Sequence, residues 1–115
     1  MQRVALQKTN LSPNFIGSWL IEPPSLCDEL ITYFEAHTAQ QKIGSTSGGR
    51  NLSAKDRVDI SIAPNELNLP GNELLKTYMD CLFTCYKDYL VQWPFLKEMG
   101  NKLEIGVFNL GRYQK

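Results

Sequence analysis

The chain has 115 residues and a formal net charge of zero, with 12 Lys and Arg against 12 Asp and Glu. This length suits one domain, and five Phe, five Tyr and two Trp carry too much apolar surface for an intrinsically disordered chain. Balanced charge without a basic block argues against nucleic acid as a partner. The apolar runs are a few residues long, far short of the about 18 that a membrane span requires.

The first predicted elements are an extended segment and a helix. Residues 15–21 have a strand-like pattern, which two prolines end because neither donates a backbone hydrogen bond. Ser25 and Asp28 then form a Ser-x-x-Asp start signal. Apolar residues recur at helical spacing after it, so we predict a helix over residues 26–37.

A loop and a strand follow this helix. Residues 39–53 are polar and glycine-rich, which predicts a surface loop or lid. A phosphate-binding loop is the weaker alternative, because the pattern GxxxxGK[ST] is missing. Arg57–Ile62 alternates strictly between polar and apolar residues. We therefore predict a strand with one buried face (Val58, Ile60, Ile62) and one polar face (Arg57, Asp59, Ser61).

A long helix and a C-terminal extended segment complete the pattern. Asn72 is a candidate N-cap, and the helix is expected to end before Pro94. Its wide apolar stripe predicts burial over much of the helix circumference; the stripe comprises Leu74, Leu75, Tyr78, Met79, Cys81, Leu82, Cys85, Tyr86 and Tyr89. Residues 103–107 alternate, with an apolar face at Leu103, Ile105 and Val107, and extended backbone continues to Tyr113. Gly106 and Gly111 indicate a bulge or a close backbone contact.

The three cysteines suggest where the protein resides. Cys27, Cys81 and Cys85 are odd in number and no secretory signal is recognised, so we expect free thiols and a cytoplasmic location. Cys81 and Cys85 lie one helical turn apart and could present two soft metal ligands. Small residues on an apolar stripe explain the same spacing, and we favour that interpretation.

Residues 15–35, 55–62 and 107–115 carry a resemblance to a known family. Together they resemble the N-terminal part of the Fe(II)/2-oxoglutarate-dependent oxygenases, in the prolyl 4-hydroxylase-like branch. FIGSWLIEPPSLCDELITYFE resembles the opening strand and first supporting helix. KDRVDISI is similar to an early strand that often reads Lys-x-Ser-x-Asp, with Arg57 at the Ser position. VFNLGRYQK resembles the strand that precedes the iron-binding His-x-Asp.

The resemblance implies an α+β fold in which two main helices pack on β-strands. They would form the support layer and first strands of a double-stranded β-helix, or jelly roll, truncated before the metal site. We therefore treat residues 1–115 as a single, incomplete domain. The implied partners are the missing C-terminal half of that domain and a peptide or small-molecule substrate.

The resemblance also assigns candidate site residues. Tyr113 matches an aromatic hydroxyl that points into the 2-oxoglutarate pocket; a half-buried strand tyrosine is the alternative. Arg57 and Asp59 share a strand face and are candidate substrate-binding residues. A solvated polar face or a mutual charge pairing is the alternative for those two.

The cofactor set implied for the full-length family is Fe(II) and 2-oxoglutarate, with ascorbate as a third candidate. The family holds iron with His-x-Asp/Glu and a second His, whereas this chain has one histidine, His37. We interpret His37 as a partly exposed residue at a helix end, favourable to the helix dipole. The chain alone is thus expected to contribute no catalytic residue and no metal ligand, and to hold no cofactor.

Two functions follow from these expectations. The first is part of a dioxygenase that hydroxylates a peptidyl-prolyl or other C–H substrate, with residues 1–115 inactive alone. The second is a small α+β interaction module without catalysis.

Overall fold

The computed structural model describes residues 1–6, 15–44, 57–99 and 104–113. These residues form a mixed α+β structure with helices α1 (Ser25–Ala36), α2 (Glu73–Gln92) and α3 (Leu96–Met99). Their strands are β1 (Gln2–Arg3), β2 (Trp19–Leu20), β3 (Lys42–Ile43), β4 (Arg57–Ile62) and β5 (Phe108–Tyr113). Short 3₁₀ helices occupy Thr38–Gln40 and Pro64–Asn68. No helix in these ranges combines the length and hydrophobicity needed to cross a bilayer.

The larger sheet is antiparallel, with strand order β3-β4-β5. Its register pairs Arg57 with Tyr113 at one end of β4 and Ile62 with Phe108 at the other. The strand predicted over Arg57–Ile62 is thus confirmed, including both boundaries. A second, smaller sheet pairs β1 with β2.

The hydrophobic core lies between one face of the larger sheet and helices α1 and α2. Ile60 and Ile62 of β4 are each 1% exposed and pack with Tyr33, Phe34 and Leu75. Val58 is half-buried at the margin of this cluster. The predicted apolar face of β4 is therefore the face that the helices cover.

Helix α1 occupies nearly the predicted residues, but its start differs from the prediction. Pro24 holds the N-cap position and no side chain caps the helix, so Ser25 is the first helical residue rather than the cap. At the other end His37 is the C-cap and half-buried, as expected. Its ring stacks on Tyr33 with centroids 3.9 Å apart, and its Nδ1 lies 2.7 Å from the Tyr33 carbonyl oxygen. Local packing therefore accounts for His37.

Asn72 occupies the predicted N-cap position of α2, but its side chain makes no capping hydrogen bond. Its Oδ1 accepts a 2.9 Å hydrogen bond from the Tyr33 hydroxyl, and its Nδ2 donates to the Glu66 carbonyl at 2.8 Å. Burial, and then the charge of Glu66, raise the pKa of Tyr33. The amide therefore joins α1 to α2 instead of capping a helix.

The prediction that α2 is buried over much of its circumference is confirmed in part. Five residues of the predicted stripe are half-buried: Leu74, Cys81, Cys85, Tyr86 and Tyr89. Within α2 the buried residues are Leu75 and Met79, in its first two turns. Tyr78, Leu82 and Phe83 of the same helix are exposed. Beyond these turns α2 contacts residues 15–22: the Tyr89 hydroxyl donates to the Phe15 carbonyl oxygen, and Trp19 Nε1 donates to Asp88. This short segment leaves part of the helix surface uncovered.

The extended segments also differ from prediction at their ends. Strand β5 begins at Phe108. Ile105 and Val107 were expected to face inward, but both are exposed, Val107 by 69%. Leu103, the third residue of that predicted face, lies outside the described residues. The reason is the register, since Phe108 already pairs with Ile62, the last residue of β4. Of residues 15–21, two form a strand. Lys42–Ile43 was expected in a loop but forms a strand. The glycine-rich segment 44–50 lies outside the described residues except for Gly44.

Candidate functional site on the polar face of the sheet

The face of the larger sheet that points away from the helices carries all three candidate site residues. Side chains alternate along a strand, so Arg57 and Asp59 lie opposite Ile60 and Ile62. The register then places Tyr113 beside Arg57, and Gly111 beside Asp59. Residues 56 positions apart in the sequence therefore meet on one surface, which we call the polar face.

Arg57 connects the other two candidate residues. Its Nη1 donates a 2.9 Å hydrogen bond to the Tyr113 hydroxyl, and its Cζ lies 5.4 Å from the centroid of that ring. Its Nε lies 2.5 Å from Oδ1 of Asp59. The guanidinium thus donates a hydrogen bond to the phenol and forms an ion pair with the carboxylate, although Nε and Oδ1 themselves make no hydrogen bond among the described residues.

The three residues differ in burial. Asp59 is 7% exposed, and the Arg57 side chain is 16% exposed. A solvated polar face is therefore the wrong description of Asp59, whereas the alternative of a mutual charge pairing is confirmed. Tyr113 is 64% exposed, which contradicts the alternative of a half-buried strand tyrosine. The site consists of a buried ion pair that supports an accessible phenol.

The environment keeps Arg57 charged. Desolvation lowers the pKa of the guanidinium, but the hydrogen bond to Tyr113 and the charge of Asp59 outweigh it, so the net shift is upward. The Asp59 carboxylate in turn lies in contact with the positive charge of Arg57. The pair as a whole carries no net charge, and its guanidinium donates a hydrogen bond to the Tyr113 hydroxyl.

Two glycines make room for this pair. A β-carbon added at Gly111 would lie 2.7 Å from Oδ1 of Asp59 and 2.9 Å from Cδ of Arg57. A β-carbon at Gly44, the residue after β3, would lie 3.1 Å from Oδ2 of Asp59. The close contact predicted at Gly111 is therefore confirmed. The one predicted at Gly106 is not found, because no atom of the described residues lies within 4 Å of a β-carbon added there. The contribution of Gly44 was missed, because its glycine-rich surroundings have the signature of a loop.

The cysteines form no metal site with neighbouring groups. Within the described ranges, no three His, Cys, Asp or Glu side chains are grouped to hold a metal ion. Cys27 is exposed, and Cys81 and Cys85 are half-buried free thiols on α2. Burial, and then the neighbouring Cys81, raise the pKa of the Cys85 thiol. Cys85 is therefore less ionised than an ordinary cysteine, which lowers its reactivity.

The polar face can bind but offers no evident nucleophile or acid–base pair. A guanidinium and a phenol are hydrogen-bond donors suited to a carboxylate or another anion. No protein-family model matches the chain, and neither a curated protein nor a solved structure matches it. Function therefore has to be inferred from the geometry of this face and its surroundings.

Proposed function

We propose that residues 1–115 are the helical support layer and first strands of an Fe(II)/2-oxoglutarate-dependent oxygenase of the prolyl 4-hydroxylase-like branch. The complete domain would be a jelly roll that hydroxylates a peptidyl-prolyl or other C–H substrate in the cytoplasm. On this proposal the remaining half of the domain is the principal partner of this chain.

The observation that supports the proposal is the two-faced sheet. Helices α1 and α2 cover one face through Ile60 and Ile62, as a support layer does. The opposite face carries Tyr113, which the resemblance assigns to the cosubstrate pocket, and Arg57 and Asp59, the candidate substrate-binding residues. A sheet that is solvated on one side has no need for a buried ion pair there, because burying charge costs free energy.

The residues present fit one of the two principal cofactors. They do not fit Fe(II), because a facial triad needs two imidazoles and a carboxylate and the chain has one histidine. The iron ligands would therefore come from polypeptide outside residues 1–115. The polar face does fit a dicarboxylate such as 2-oxoglutarate, because Arg57 and Tyr113 supply donors of the right kind.

The test compares residues 1–115 with the reading frame extended past codon 115. We expect the extension to encode His-x-Asp or His-x-Glu within about ten residues, followed later by a second His. We expect the extended protein to release succinate when given Fe(II) and 2-oxoglutarate, and residues 1–115 alone to release none. A frame without this motif, or succinate release by residues 1–115, would contradict the proposal.

The alternative of a non-catalytic interaction module is favoured by one observation. An apolar groove of about 450 Å³ lies between α2 and the segment before β5, and it is lined by Met79, Leu82, Phe83, Tyr86 and Ile105 among others. Leu82, Phe83 and Ile105 are exposed there. Such a surface serves a partner protein as well as it serves further strands of the same domain.

A thermal melt monitored by light scattering separates the two functions. A part of a larger domain was expected to expose two apolar faces, Val58/Ile60/Ile62 and Leu103/Ile105/Val107. Ile60 and Ile62 are buried, whereas Ile105 and Val107 are exposed. As part of a larger domain, residues 1–115 should still bind a hydrophobic dye and aggregate on heating, because Ile105, Val107 and the apolar groove are uncovered. As an independent module, they should remain monodisperse and melt cooperatively. A cooperative, reversible melt without dye binding would count against the oxygenase proposal.

A further inference from the structure

Within the described residues the Tyr113 hydroxyl has one hydrogen-bond partner, Arg57, which also forms an ion pair with Asp59. Arg57 donates to the hydroxyl from Nη1 while its Nε contacts Asp59. Asp59 and Tyr113 are not neighbours in the register, because Asp59 pairs with Gly111. Any influence of Asp59 on Tyr113 therefore passes through the guanidinium.

The burial of Asp59 makes this chain of contacts rigid. A buried carboxylate that loses its cation is strongly unfavourable, so Asp59 and Arg57 must stay together. Two cations lie near Asp59 in the sheet. Lys42 is its register partner on β3 and is exposed, whereas Arg57 forms the ion pair with Asp59 that is found among the described residues. Arginine also has a planar fork, so fixing Nε fixes the direction of the Nη1 hydrogens.

The flanking glycines restrict the pair from both sides. At Gly111 and Gly44 the space that a β-carbon would occupy is taken by the carboxylate and the arginine stem. The side chains of Asp59 and Arg57 thus lie flat across the neighbouring strands. This position directs the guanidinium along the sheet toward Tyr113, rather than out into solvent.

We propose that Asp59 is a positioning residue for the Tyr113 hydroxyl and acts through Arg57, with Gly44 and Gly111 providing the space. Its use in the reaction rests on the proposed function, in which that hydroxyl meets a dicarboxylate cosubstrate. Asp59 itself does not touch the ligand. It sets the direction of the phenol before a ligand arrives, which lowers the cost of ordering the site on binding.

The relay is tested by ¹⁹F NMR of residues 1–115 labelled with 3-fluorotyrosine. The chain has five tyrosines, and the Tyr113→Phe variant identifies the signal of Tyr113. In Asp59→Asn we expect this signal to move toward the value of free 3-fluorotyrosine, while the other four signals stay in place. Arg57→Lys should move it in the same way, because lysine keeps the charge but lacks the fork.

The matched control is Asp80→Asn, an exposed carboxylate on α2, which should leave the Tyr113 signal unchanged. An unchanged signal in Asp59→Asn, with the fold intact, would overturn the proposal. If Asp59→Asn does not fold, the wild-type chain decides the question. We then expect a distinct, slowly exchanging Arg57 Nε–H resonance with a cross-peak to the Tyr113 ring, and an averaged arginine signal would overturn the proposal.

These readouts need no ligand, so they separate the relay from the proposed function. A relay that fails leaves the oxygenase assignment to be judged by succinate release. A relay that is confirmed in a protein without that activity leaves Asp59 as a positioning residue in a site of another function.

Discussion

Replacing Ile60 with alanine is expected to lower the free energy of unfolding by about 2–5 kcal/mol, the range for truncating a buried isoleucine. Ile60 is 1% exposed, and it lies in the core cluster with Phe34 and Leu75. It comes from the central strand of the sheet, between β3 and β5. The surrounding residues are anchored in three different elements, so they cannot collapse fully into the cavity. Urea denaturation followed by circular dichroism measures the change.

The control for Ile60 is Val91→Ala, which removes apolar atoms from an exposed position near the end of α2. Val91 is 73% exposed, so this variant should change the free energy of unfolding by less than about 0.5 kcal/mol. Equal losses for the two variants would show that β4 does not supply the core.

Replacing Gly111 with alanine should cost about 1–3 kcal/mol of stability, because the site is already filled. The added methyl would lie 2.7 Å from Oδ1 of Asp59 and 2.9 Å from Cδ of Arg57. Neither group moves freely, since the carboxylate is buried and the arginine is held at both ends. The expected result is a lower urea midpoint together with a displaced Tyr113 ¹⁹F signal.

Gly106→Ala is the matched substitution in the segment before β5. Among the described residues, no atom lies within 4 Å of the β-carbon that it would introduce. We expect no loss of stability and a gain of up to about 1 kcal/mol, because alanine restricts the unfolded chain more than glycine does. If Gly111→Ala behaves like Gly106→Ala, the space beside Asp59 is not restricted and the framing role of Gly111 is wrong.

The candidate site shows how far sequence patterns reach. The alternation in Arg57–Ile62 placed Arg57 and Asp59 on one strand face before any contact was known. The alternation did not predict that Asp59 would be buried. A repeat of two residues shows which side chains share a strand face, but not which residues cover that face. Arg57, Gly44 and Gly111 all lie close to the Asp59 carboxylate, and the two glycines come from other parts of the chain.

For the apolar stripe of α2, the sequence predicted more burial than the structure shows. Its apolar spacing is helical along the whole element, and the helix forms as predicted. Burial, however, requires a surface to pack against: Leu75 joins the core cluster, whereas the later turns contact residues 15–22 and remain partly exposed. Periodicity therefore established that α2 is a helix, but contacts with distant segments established how deeply each residue is buried.

The sequence by itself determined the local structure: a helix after Pro24, an alternating strand at Arg57–Ile62 and a long helix that begins after Asn72. These depend on neighbours a few residues apart, whose spacing the sequence states directly. Only the tertiary structure decided that Tyr113 meets Arg57, that Asp59 is buried, and that β5 begins at Phe108. Those outcomes depend on strand register, which is fixed by contacts between distant segments and leaves no periodic signal in either strand alone.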